Sequence, residues 1–159
     1  MLLWFVGLSL AVVWSVFRSP ALDYRMVALG SVLPLVEVVA GRPFVLHTLV
    51  GAVGALVIVM LATRRRRLAR RRWLGLPIGL FLHLALDGVW SDRRLFWWPF
   101  GGWSLQGGAP ESSRPLGLII LMELAGAGAL VWWWRRWSLN DRSRRSEFLR
   151  TGRLGRDLD

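Results

Sequence analysis

The chain of 159 residues has no cysteine and no lysine, one tyrosine and two histidines. The missing cysteine excludes a disulfide framework and all thiol chemistry. Without lysine, each of the 21 basic residues is arginine, which points to a GC-rich bacterial genome and says nothing of mechanism. Acidic residues number only 10, leaving a formal net charge of +11. With two histidines, any imidazole chemistry is confined to His47 and His83. The first residues also lack the basic n-region and small-residue cleavage site of a signal peptide, so Leu2–Phe17 reads as a retained transmembrane helix.

What the sequence does have is apolar residues, 54% of the chain, with a mean hydropathy of +0.42. They come in blocks at 2–17, 26–40, 44–62, 74–90 and 116–134, with arginine clusters between and after them. A bilayer core takes about 20 apolar residues, and the last three blocks reach or approach that length. The fold expected is therefore all-α: a polytopic transmembrane bundle of four or five helices, followed by a basic cytoplasmic tail at 135–159. The count depends on 26–40, which either spans or re-enters, because Pro34 in its middle breaks or kinks a helix.

Basic residues in short loops mark the cytoplasmic side. Seven arginines lie between Arg64 and Arg72, and eight more between Arg135 and Asp159. Two apolar blocks separate these clusters, so both can be cytoplasmic, and 91–115 is then extracytoplasmic. This predicts a multi-pass protein of the bacterial inner membrane with its C-terminus inside. The arginines are thereby explained by topology and by attraction to anionic lipid headgroups, with no nucleic-acid partner required. The tail carries few apolar anchors and reads as a short surface helix or a disordered segment. Tryptophan follows the same map. Trp73, Trp132, Trp133, Trp134 and Trp137 fall at the inner interface and Trp90, Trp97, Trp98 and Trp103 at the outer one, an aromatic belt. Trp97, Trp98 and Trp103 are also candidates for facing a substrate or a partner.

Five ionisable residues interrupt the apolar blocks: Glu37, His47, His83, Asp87 and Glu123. A carboxylate at the bilayer centre costs about 2.5–3.5 kcal/mol even on the lenient insertion scale, so these groups need partners. His83 and Asp87 are four residues apart and share a helix face. On the topology above, all five fall toward the outer leaflet, and Glu123 lies as deep in its helix as His83 in its own. Two imidazoles with carboxylates suit zinc, or iron or manganese, and an open coordination position would let such a metal activate water. Interhelical hydrogen bonding by His83 explains the same pattern without a metal.

The stretches "LDYRMVALGSVLPLVE", "HTL" and "FLHLALDGVW…LFWWPF" together resemble the membrane-bound metal-dependent hydrolase family, which is similar to zinc-dependent phospholipase C and P1-type nucleases. The resemblance spans about Asp23 to Phe100. It implies His47, His83 and Asp87 as metal ligands, with zinc as the metal. It further implies a phosphoester or lipid-linked substrate at the outer leaflet. Where that family has Pro-Asp, this chain has Pro34-Leu35, and Gly41-Arg42 lacks a further histidine. Glu37 and Glu123 are the carboxylates that remain to serve as a further ligand or general base. The competing expectation is a non-catalytic membrane subunit, which uses its small-residue stretch "ELAGAGAL" for close helix packing and its Trp-rich outer loop to bind a membrane-protein partner.

Overall fold

The computed structural model describes residues 1–39, 45–103 and 114–154. The Gly41-Arg42 step and part of the 91–115 loop lie outside the described residues. Among those described, every regular element is helical. The helices are α1 (Leu2–Phe17), α2 (Tyr24–Val32), α3 (Leu35–Val39), α4 (Leu49–Ala62), α5 (Arg67–Trp73), α6 (Gly75–Asp87), α7 (Arg93–Phe96), α8 (Leu116–Arg136) and α9 (Arg142–Thr151). Short 3-10 turns occupy Val45–His47 and Val89–Ser91. Of these helices, α8 is long and apolar enough to cross a membrane by itself, whereas α1 and α4 are apolar but shorter.

Local chemistry sets the ends. The Asp23 side chain accepts from the Arg25 backbone N–H and starts α2; Thr48 does the same for Gly51 and starts α4. Gly88 adopts a left-handed conformation, φ 73°, that closes α6 directly after Asp87. The apolar block at 26–40 is not one helix. Its ladder stops at Leu33, Pro34 supplies no N–H, and the chain restarts as the five-residue α3.

Helix α6 is the centre of the assembly, with α2 along one side and α4 along another, while α1 packs on α2 and α8. Glycines permit close approaches of the helix backbones, Gly79 and Gly126 among them. A Cβ on Gly79 would collide with the Val27 carbonyl of α2, and one on Gly126 with the backbone of Leu3 and Trp4 in α1. Small residues where backbones meet are what helices use when lipid offers no hydrophobic drive for association. "ELAGAGAL" is thus engaged within the chain through Gly126, while Gly128 faces open space. Elsewhere α4 and α8 turn large apolar side chains outward, among them Ile58, Leu61, Leu121 and Leu124.

The bundle has two chemically distinct ends. At one, Asp23 is buried and paired with Arg25 at 3.0 Å and Arg72 at 3.5 Å. Here α9 folds back onto the bundle: Tyr24 N–H donates to the Gly152 carbonyl, Leu154 N–H to the Pro20 carbonyl, and Phe148 meets Trp133 edge to face. The segment expected to lie on the membrane or to be disordered is docked through residue 154. The reason is a pair of tryptophans expected in the lipid belt. Trp133 and Trp137 are 2% and 3% exposed, and they cluster with Tyr24, Val13, Leu139 and Leu154. At the other end sit the carboxyl end of α6, the first turn of α1 and the start of α8.

Candidate metal centre

Three side chains meet at that second end. His47 comes from the 3-10 turn that leads into α4, while His83 and Asp87 come from the last turns of α6. Their ligand atoms all lie within 4.8 Å of one another, and each residue is at most 1% exposed. A tetrahedral centre with bonds of about 2.1 Å holds its ligands about 3.4 Å apart. The widest pair therefore needs to close by no more than about 1.4 Å.

The imidazoles are oriented from behind. His83 Nδ1 lies 2.7 Å from the Ser31 carbonyl of α2. A carbonyl only accepts, so Nδ1 carries the proton, and in the neutral ring Nε2 then carries the lone pair. Phe5 of α1 stacks on the ring, with centroids 3.9 Å apart. His47 Nδ1 lies 2.9 Å from Glu37 Oε2, and the other carboxylate oxygen accepts from Leu46 N–H at 3.0 Å. His47 Nε2 is buried and meets no hydrogen-bond partner among the described residues. The two rings stand nearly perpendicular, with centroids 5.4 Å apart. A histidine whose Nδ1–H is held by a carboxylate or carbonyl presents Nε2 in one direction, the usual outer support of a metal-bound imidazole.

Asp87 has a different neighbour. Arg114, just ahead of α8, donates to the Asp87 backbone carbonyl, and its Nη2 lies 3.1 Å from Oδ1. That second contact is an ion pair through Oδ1, and Oδ2, which meets no hydrogen-bond partner among the described residues, remains available to a further cation. Beyond Asp87 the surface opens into a basin of about 780 Å³ whose lining includes Ser91, Asp92, Arg93, Arg94 and Arg114.

The two carboxylates expected as further ligand or base are placed elsewhere. Glu37 stands behind His47 rather than in the ligand set. Glu123 accepts from Leu3 N–H at 2.9 Å and lies 3.3 Å from the Met1 nitrogen. It caps the first turn of α1, where donors lack helical partners and the dipole favours negative charge. Equal depth with His83 did not mean proximity, because Glu123 lies on the face of α8 that packs on α1. Trp97 and Trp103 are 50% and 84% exposed, and Trp98 donates its indole N–H to the Trp103 carbonyl at 3.2 Å. These three tryptophans line neither the triad nor the basin. Sequence reasoning missed Phe5, Ser31 and Arg114. Arg114 alone left a signal: an arginine in the 91–115 loop, which the charge rule was expected to keep poor in them.

No curated protein and no solved structure matches the chain. A family model does match, and it is not that of the metal-dependent hydrolases. The resemblance drawn from "HTL" and "FLHLALDGVW…LFWWPF" is overturned by that match; short motifs on apolar helices carry little family information by themselves. The match covers residues 3–142, which include the triad and every described helix except α9 in full or nearly so, and by it the chain belongs to the YdjM inner membrane protein family.

Proposed function

We propose that this inner membrane protein holds a divalent metal ion, zinc in the first instance, between His47, His83 and Asp87, and uses it to activate water for hydrolysis of a phosphoester or lipid-linked substrate at the outer leaflet. The observation that carries the reading is the buried convergence of two imidazoles and a carboxylate within 4.8 Å. Desolvating such groups is costly, and intramembrane ionisable residues are functional by default. Three protein ligands with a position left open is the pattern of catalytic zinc rather than of closed structural sites. In such a site the metal supplies water made acidic enough to ionise near neutrality. Two histidines with one carboxylate also serve iron.

The same reading places the chain in the bilayer as a multi-pass bundle. α1, α4 and α8 run from the triad end to the arginine-rich end, and α2–α3 and α6 return. The C-terminus and the Arg64–Arg72 cluster then lie inside, and the triad faces the outer leaflet. Helices this short, about 20–24 Å for α1, α4 and α6, fit a bundle whose shorter members are flanked by interfacial arginine and tryptophan. Because the chain has no cysteine, single substitutions at Trp103 and Asn140 report orientation directly. A membrane-impermeant maleimide should label W103C and not N140C in spheroplasts; the reverse pattern inverts the topology.

Metal content decides the chemistry. Protein purified in detergent without added metal should carry near-stoichiometric zinc, iron or manganese that His83→Ala and His47→Ala lose. A folded wild type that carries none and takes up none on titration ends the hydrolase reading. The rival, a non-catalytic subunit in which Asp87 and Arg114 are simply an ion pair, draws its support from their 3.1 Å contact and from the exposed Trp103.

A further inference from the structure

We infer that the basin beside Asp87 is a phosphate-binding subsite in which Arg93, Arg94 and Arg114 hold the non-bridging oxygens of a phosphorylated ligand. The inference deepens the metal-site reading and rests on it, since Asp87 both belongs to the ligand triad and lines the basin. An oxyanion seated on the arginines is thereby next to the metal position.

Three observations support it. The first is charge. Of the two described carboxylates that line the basin, Asp87 is turned onto Arg114, and Asp92 accepts from the Arg94 and Leu95 backbone N–H groups as the cap of α7. Among the described residues no carboxylate pairs with Arg93 or Arg94, so the basin offers two uncommitted guanidinium groups and a third held in place. The second is preorganisation. Arg114 has a side chain only 16% exposed and is fixed against Asp87. Its planar fork therefore loses little freedom when an oxyanion arrives. The third is location. These arginines lie at the triad end, opposite the arginine-rich end that topology explains. The charge rule gives them no reason to be there, whereas bidentate recognition of phosphate does.

A phosphate can come from a lipid headgroup or from a small soluble phosphoester, and a basin of about 780 Å³ admits both. The test is calorimetric titration of the full-length protein in detergent with inorganic phosphate and, separately, with dihexanoyl phosphatidic acid. Wild type, R93Q/R94Q and His83→Ala are compared, with metal content measured on the same samples. Both ligands should bind wild type, and R93Q/R94Q should weaken binding at least about ten-fold, as expected for loss of charge-assisted hydrogen bonds, with its metal content unchanged. Tighter binding of the phosphatidic acid assigns a lipid ligand; equal affinities assign a soluble one. Equal phosphate binding by wild type and R93Q/R94Q, or none by wild type, overturns the subsite. If wild type proves metal-free but binds phosphate in an arginine-dependent way, the metal reading falls and the subsite stands.

Discussion

Glu37→Gln is the sharpest test of the geometry behind the triad. The carboxylate serves two donors at once, His47 Nδ1–H at 2.9 Å and Leu46 N–H at 3.0 Å. The amide that replaces it has one acceptor oxygen and one NH2 group. Whichever way it turns, one of the two N–H donors faces an N–H instead of an oxygen. If Leu46 keeps the oxygen, His47 loses its orienting partner and Nε2 is no longer aimed at the metal position. Removing an outer-shell partner of this kind weakens metal binding by about 10–100-fold, or roughly 1.4–2.7 kcal/mol. The assay is competition with a fluorescent zinc chelator in detergent, on wild type and E37Q, with thermal unfolding as a control for the fold. An unchanged zinc affinity would refute the claim that Glu37 orients His47. Unchanged affinity together with loss of turnover would instead return Glu37 to the role of a base.

Two further substitutions probe the scaffold. Gly79→Val should separate α2 from α6, because the new side chain meets the Val27 carbonyl and Ser31 backbone nitrogen rather than a flexible neighbour. The cost should exceed the about 1–3 kcal/mol usual for overpacking. Gly128→Val, which faces open space, should unfold at the wild-type temperature; equal effects of the two would mean that the helix interface is not where it is drawn. Trp133→Ala removes the ring that holds Phe148 and should cost about 3–5 kcal/mol. Trypsin should then cut at Arg144, Arg145 and Arg150 well before it enters the bundle, and an α9 no more sensitive than in wild type would show that the tail is held by something else.

The sequence made the helical character legible because apolar blocks bounded by arginine have few other solutions. It left the packing inside them obscure. Trp133 and Trp137 carried the composition of a lipid belt, yet a docked α9 that no local pattern announced turns them into core. His83 and Asp87 were readable as neighbours because four residues make one turn of a single helix. His47 joined them through depth, a weaker guide that worked. Depth failed for Glu123, since a helix has a circumference as well as a length, and hydropathy that is uniform around α8 does not say which side meets which neighbour. Glu37 shows the same limit. A spacing of ten residues from His47 says nothing about whether a carboxylate joins the imidazole cluster or stands behind one of its rings.

Pro34 is where sequence and site meet. An uninterrupted helix would bond Leu35 N–H to the Ser31 carbonyl and a residue-34 N–H to that of Gly30. Proline has no N–H to give, and no Leu35-to-Ser31 hydrogen bond forms; the ladder resumes in tighter turns, Val36 to Leu33 and Glu37 to Pro34. The Ser31 carbonyl is thus released from α2 and accepts from His83 across the helix interface. The break that shortens α2 is what sets the His83 tautomer, and the tight turn after it carries Glu37 to His47. Pro34→Ala should therefore have effects of opposite sign. Restoring the donor favours a continuous helix, since proline inside one costs about 3 kcal/mol, so the thermal midpoint should rise. The Ser31 carbonyl should turn back along α2 and Glu37 should leave its position, so zinc affinity should fall by about ten-fold or more. A variant that is more stable and binds zinc as well as wild type would show that the break in α2 is incidental to the site.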